Sequence, residues 1–108
     1  MIQSYRDLDV WQRAMDFAVE LYSITKAFPS SEVYGLTSQM RRAAVSIPSN
    51  IAEGRSRKST PEFSKFLTIA YGSLAEIQTQ IEPAARLQYV DVKKPQVCWN
   101  ARTKWAAC

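Results

Sequence analysis

The chain alternates apolar and polar residues in steps of three and four. In its first part Leu8, Trp11, Met15, Ala18 and Leu21 or Tyr22 fall in one row, which Thr25 closes. That spacing puts them on one face of a helix and predicts a first helix over about 8–27. Asp7 or Asp9 suits its start, where an acidic group can cap free amides and favour the helix dipole. Phe28-Pro29 stops it, because the residue before a proline is pushed out of the helical region. A second row, Leu36, Met40, Ala43 or Ala44, Ile47 and Ile51, predicts a helix over about 32–53. Its period runs through Pro48, so the helix is expected to continue there with a kink, without the bond to the Ala44 carbonyl. Ser46 and Ser49 are placed to help satisfy the freed groups. Gly54 is expected to end this helix as a left-handed terminator.

The third row is the clearest. Phe63, Leu67, Ala70, Leu74, Ile77, Ile81 and Ala84 alternate steps of four and three, the pattern of a heptad seam. Thr60-Pro61-Glu62 supplies an N-cap, a proline in the first turn and an acid. Together these predict a helix over about 61–87, with a bend or early end at Pro83. Phe66, Ile69 and Tyr71 widen the stripe, so this helix is expected to meet more than one neighbour. Beyond Tyr89 the period fades. Val97, Ala101 and Trp105 share a helical face and suggest a short last helix over 95–106. No stretch shows strand alternation with turn chemistry. Short connectors favour antiparallel neighbours, so the expected fold is all-α: an antiparallel up-and-down four-helix bundle whose last helix is short or altered. A neighbouring subunit is the other way to complete such a core.

Composition narrows the classes. A chain of 108 residues is expected to form one domain, 1–108. With 46% hydrophobic and 22% charged residues, and only 3 Gly and 5 Pro, it reads as an ordinary globular protein. No apolar run approaches the roughly 18 residues of a membrane span. The N-terminal stretch carries Asp7, Asp9 and Asp16 and lacks the apolar core of a signal peptide, so a cytoplasmic location is expected. The chain has no histidine, and its two cysteines, Cys98 and Cys108, fit no CxxC spacing. A Cys/His zinc site within one chain is therefore excluded, no cofactor is expected, and both cysteines read as free thiols. Net charge is +4 but unevenly placed: residues 1–53 balance to −1 and residues 54–108 to +5.

Three stretches carry a family resemblance: LDVWQRAMDF, TKAFPSSEVYGLTSQMRRAAVSIPSNIAEG preceded by Tyr22, and EFSKFLTIAYGSLAEIQTQIE. Together they span about residues 8–82. In them the chain resembles the four-helix bundle proteins known as 23S rRNA-intervening-sequence proteins, whose relatives include the accessory protein of diversity-generating retroelements. The resemblance implies a four-helix bundle, assembly as a homopentamer and no catalytic activity. The retroelement relative is a basic partner of nucleic acid and of a reverse transcriptase. Family members usually continue after an LGY-like element into a full fourth helix. Here that element reads Leu87-Gln88-Tyr89, with Pro83 upstream and KKPQVCWNARTKWAAC downstream, which points to a truncated or altered last helix.

Two places are candidates for chemistry. RRAAVSIPSNIAEG, residues 41–54, offers Glu53, Asn50 and two arginines but no nucleophile–base pair, so no catalytic residue is expected. Arg42, Ser46, Ser49 or Asn50, and Glu53 lie along one side at helical spacing. Arg42, Asn50, Glu53 and, from the third helix, Glu76 are therefore expected to form a structural polar network. The loop RSRKST, residues 55–60, is the better binding candidate. Arg55, Arg57 and Lys58 lie beside the start of a helix and can hold phosphate, with Lys65 adding charge and Arg41 and Arg42 in support. The bland alternative is a solvated connector. Gly72-Ser73 lacks any phosphate-loop context, and its glycine is expected to allow close helix approach. Trp11, Tyr22, Tyr34 and Tyr71 follow the stripes and suit core or interface, while Trp99 and Trp105 suit an oligomer contact if exposed. The expected partners are a second copy of the chain, RNA or DNA, and, as an alternative, another protein held at an apolar surface; no membrane is expected.

Overall fold

The computed structural model describes residues 4–91. Within them the chain is all-helical: α1 is Asp9–Thr25, α2 is Leu36–Ser56 and α3 is Thr60–Arg86. Short 3₁₀ turns, Tyr5–Asp7 and Ser30–Glu32, precede α1 and α2. The helix expected over 95–106, both cysteines, Trp99 and Trp105 lie outside the described residues.

α2 is the middle element. It packs on both α1 and α3, whereas no Cα of α1 lies within 8 Å of one in α3. Moving back along α2 from Gly54 to Ser46 moves forward along α3 from Phe66 to Ser73, so these two helices form an antiparallel hairpin. Arg41, near the start of α2, reaches Tyr22 and Thr25 at the end of α1, and the turn before α1 also lies on α2. α1 and α2 are therefore antiparallel as well. The core runs along this middle helix. Met40, Ile47 and Ile51 are fully buried among Ala14, Leu21, Leu74 and Ile77. Burying each such large side chain stabilises the fold by about 1.5–3 kcal/mol.

Several local expectations need correcting. In α1 the buried row is Ala14, Ala18, Leu21 and Thr25, while Met15 and Tyr22 are 39% and 41% exposed. Ala14 and Ala18 let the two helices approach; Met15 and Tyr22 are turned to the flank. Neither aspartate caps α1. Asp7 instead accepts from the Ser4 amide in the preceding 3₁₀ turn, Leu8 holds the N-cap position, and Asp9 pairs with Arg13 at 3.0 Å.

α2 begins at Leu36, later than the pattern suggested. The Leu36 amide donates to the Glu32 carboxylate at 3.0 Å, and that carboxylate lies over Gly35, where a Cβ would sit 2.7 Å from it. The side chain of Glu32 thus caps α2 from outside the helix. The helix does pass through Pro48, which is buried. The Ser46 hydroxyl donates to the Ala43 carbonyl at 2.7 Å and the Ser49 hydroxyl to the Val45 carbonyl at 2.8 Å. They serve the carbonyls on either side of Ala44, the one that loses its bond.

Gly54 is not a terminator. It is helical and buried, and α2 continues to Ser56. A Cβ there would lie 2.6 Å from the Cβ of Phe66 and 3.1 Å from the ring of Phe63, so glycine is required for the approach of α3. The left-handed residue is Lys58, with φ 57. Gly72 shows the reverse: a Cβ there would meet nothing within 4 Å. Its neighbour Ser73 makes the contact, with its hydroxyl 2.6 Å from that of Ser46.

α3 is capped by Ser59, one residue before the expected Thr60. It runs through Pro83 to Arg86, since Pro83 and Thr79, whose carbonyl loses its partner, lie on the exposed side. It closes with a double turn: the Tyr89 amide bonds to the Ala84 carbonyl at 2.8 Å and the Gln88 amide to Ala85 at 3.0 Å. Gln88 holds φ 64, the conformation that favours glycine, at the middle position of the LGY-like element.

Candidate nucleic-acid interface

The α2–α3 turn is built by local rules. Arg57 ends α2, Lys58 makes the left-handed step, and the Ser59 hydroxyl accepts from the Glu62 amide at 3.4 Å to start α3. Arg57, Lys58 and Lys65 are exposed and Arg55 is half-buried. Phe63 and Phe66 close over Gly54 from the α3 side. The Arg57 guanidinium lies 5.3 Å from the centre of the Phe66 ring and pairs with Glu53 at 2.8 Å. Both members of that pair are about half exposed, so it is worth only about 0.3–0.5 kcal/mol and a phosphate can compete for it. The positive end of the α3 dipole adds to the charge of the turn.

The structure divides the six candidate cations into two groups. Arg55, Arg57, Lys58 and Lys65 cluster at the hairpin tip. Arg41 and Arg42 lie roughly 20 Å away along α2, at 1.5 Å per residue. Arg41 is committed to the fold: its Nε donates to the Thr25 hydroxyl at 2.8 Å, and its Nη2 donates to the Tyr22 carbonyl at 3.2 Å. It also covers the Tyr22 ring at 4.6 Å. In effect Arg41 caps the end of α1, which has no basic residue in its own last turn. Arg42 is exposed and has no hydrogen bond or ion pair among the described residues.

The family model of the 23S rRNA-intervening sequence protein matches residues 6–102. The chain belongs to this family. A comparison with curated proteins finds no match. The matched span takes in all three helices, the basic tip and the Leu87-Gln88-Tyr89 element.

The expected polar network has its members apart. Asn50 donates to the Ser46 carbonyl at 2.7 Å, Glu53 is paired with Arg57, and Glu76 accepts from Gln80 at 3.2 Å. No hydrogen bond or ion pair joins Arg42, Asn50, Glu53 and Glu76 to one another among the described residues. Each contact is instead one helical turn long.

A polar arrangement that sequence spacing did not reveal lies at the opposite end of the hairpin. The Tyr89 hydroxyl donates to the second oxygen of Glu32 at 3.0 Å, and the Tyr89 ring packs 5.4 Å from that of Phe28. This bond raises the pKa of Tyr89, helped by burial and by the charge of Glu32. One carboxylate thus both caps α2 and anchors the chain leaving α3. The contact spans 57 residues, beyond the reach of any local pattern.

A second feature is an apolar trough along the flank of α1 and α2, lined by Trp11, Met15, Val19, Tyr22, Val45 and Pro48. Val19 is 67% exposed. Among the described residues, no helix is long and apolar enough to cross a membrane.

Proposed function

We propose that this protein is a non-enzymatic, self-associating accessory protein that holds nucleic acid at the tip of its α2–α3 hairpin. Ribosomal RNA is the first candidate ligand, with other RNA or DNA behind it, and no cofactor takes part. The observation that carries the proposal is the gathering of Arg55, Arg57, Lys58 and Lys65 at one end of a rigid hairpin. The family's name, which refers to intervening sequences of 23S rRNA, is consistent with an association with ribosomal RNA. A pentamer, the assembly the family resemblance implies, would repeat the tip several times and turn weak phosphate contacts into firm binding.

The test is fluorescence anisotropy with labelled structured RNA and duplex DNA at about 50 and 200 mM salt, where phosphate contacts lose most affinity. Replacing Arg55, Arg57 and Lys58 together by alanine should weaken binding at least about tenfold and flatten the salt dependence. Unchanged binding removes the tip from the proposal.

The trough favours a second reading, a structural scaffold that holds another protein at an oligomer surface. Here sedimentation of the protein alone decides whether the trough is free for a partner: if Val19→Glu dissociates the copies while leaving the helical signal intact, the trough is a self-contact and the scaffold reading loses its surface.

A further inference from the structure

We infer that the hairpin tip grips the phosphodiester backbone and does not read bases. This rests on the nucleic-acid proposal above and narrows it to a chemical class. Sequence is read by side chains that reach base edges or stack on base faces. The tip has little of either. Its two rings, Phe63 and Phe66, are half-buried against Gly54, and Phe66 lies beneath the Arg57 guanidinium. Neither offers the open aromatic shelf on which unpaired bases stack. Between residues 55 and 65 there is no Asn or Gln, the side chains that pair with adenine edges.

Arginine can read guanine through its planar fork, but the Arg57 guanidinium lies 5.3 Å from the centre of the Phe66 ring and pairs with Glu53 at 2.8 Å, a carboxylate that an anionic phosphate displaces more readily than a neutral guanine edge does. Lys58 and Lys65 are compact point charges on flexible stems, suited to phosphate oxygens. Beside them Thr60 and Ser64 expose hydroxyls, while the exposed Ser56 hydroxyl donates to the Ala52 carbonyl at 2.9 Å. Four cations face one acid, Glu62, between residues 55 and 65. Apart from Arg55, which is half-buried, these are cations and hydroxyls without base-reading groups, the contacts that position a protein on a backbone of any sequence.

The experiment uses the full chain and three probes of equal length. Two are RNA stem-loops of identical secondary structure with permuted sequences, and one is duplex DNA. The permuted RNAs should compete within about twofold, and the DNA within about fivefold. The salt slope should be about 2–4 in magnitude for each tip engaged, the number of phosphates that four cations neutralise, and should fall in the Arg55→Ala/Arg57→Ala/Lys58→Ala variant. Circular dichroism of that variant confirms that loss of binding is not loss of fold. A tenfold or larger preference between the permuted RNAs overturns the inference while leaving nucleic-acid binding in place. So does rejection of the DNA, because the sugar hydroxyl would then decide. Binding of none of the three at about 50 mM salt removes the underlying proposal itself, a result distinct from either of these.

Discussion

α2 has two sides, and they are finished differently. Toward α3 the fit is close: Gly54 leaves just enough space for Phe63 and Phe66, and Ser46 meets Ser73 at 2.6 Å. Toward α1 the small residues Ala14 and Ala18 are buried, yet Met15, Val19, Tyr22 and Val45 remain exposed along the trough. The same period of three and four produced both sides. Periodicity says which residues are apolar and share a face. It does not say whether the fold of one chain covers them. The seam between α2 and α3 is closed within the described chain and the flank of α1 and α2 is not; on the outer side of α3, Ile69 and Tyr71, expected to meet a further neighbour, are exposed as well.

The largest test of this contrast compares neighbours on α2. Ile47 is 2% exposed and Val45 is 43% exposed. Ile47→Ala should cost about 2–5 kcal/mol, through lost burial and the cavity left behind. Val45→Ala should stay within about 0.5 kcal/mol, as surface substitutions do. Urea unfolding of both variants at several protein concentrations measures the difference. A Val45→Ala cost that rises with concentration would show the trough to be buried between copies, and the contrast would then belong to the monomer alone.

The glycines sharpen the comparison. Gly54→Ala pushes a methyl group to 2.6 Å from the Phe66 Cβ, so α3 must shift. Overpacking of that kind costs about 1–3 kcal/mol, against a gain of roughly 1 kcal/mol in helix propensity, and the net should be destabilising. Gly72→Ala meets nothing within 4 Å and should stabilise by up to about 1 kcal/mol. Gln88→Gly should also stabilise, by about 1 kcal/mol, because it relieves the left-handed φ of 64. Thermal melts of the three variants give the signs. If Gly54→Ala gains stability, the hairpin seam is looser than its geometry indicates.

Much of the helical framework was legible in the sequence. The heptad row of α3 supplies Ala70, Leu74, Ile77 and Ala84 to the core, and the period through Pro48 marked α2 as continuous. These signals are local, repeated over several turns, and need no partner. What escaped depends on a partner. Gly54 and Gly72 look alike in sequence, and only the position of α3 tells a close approach from an empty surface. Arg41 looked like a binding cation until Thr25 and Tyr22 took its donors. The basic tip was legible because its charges are adjacent in sequence. Arg42, Asn50 and Glu53 share a side of α2 at helical spacing, which equally well serves contacts one turn along the same helix, and Glu76, expected to pair across the bundle, instead meets Gln80 on its own helix.

The smallest effect concerns the contact that ties the far end of the hairpin to the linker before α2. Tyr89 donates to Glu32, and that bond, with burial and the nearby carboxylate charge, raises its pKa above the ordinary 10.0. In the unfolded chain the phenol titrates at its ordinary value, so above about pH 10 unfolding releases a proton that folding retains. The stability from this contact is therefore fully present below pH 10 and is lost as pH rises through the folded pKa. Tyr89→Phe should lower the melting temperature at pH 7, and the gap to the parent protein should close in alkaline solution. A gap that stays constant across that range would mean that the Tyr89 ring, packed on Phe28, stabilises the end of α3 and that its hydroxyl does not. The tie between the two sides of α2 would then be apolar, like the seam with α3.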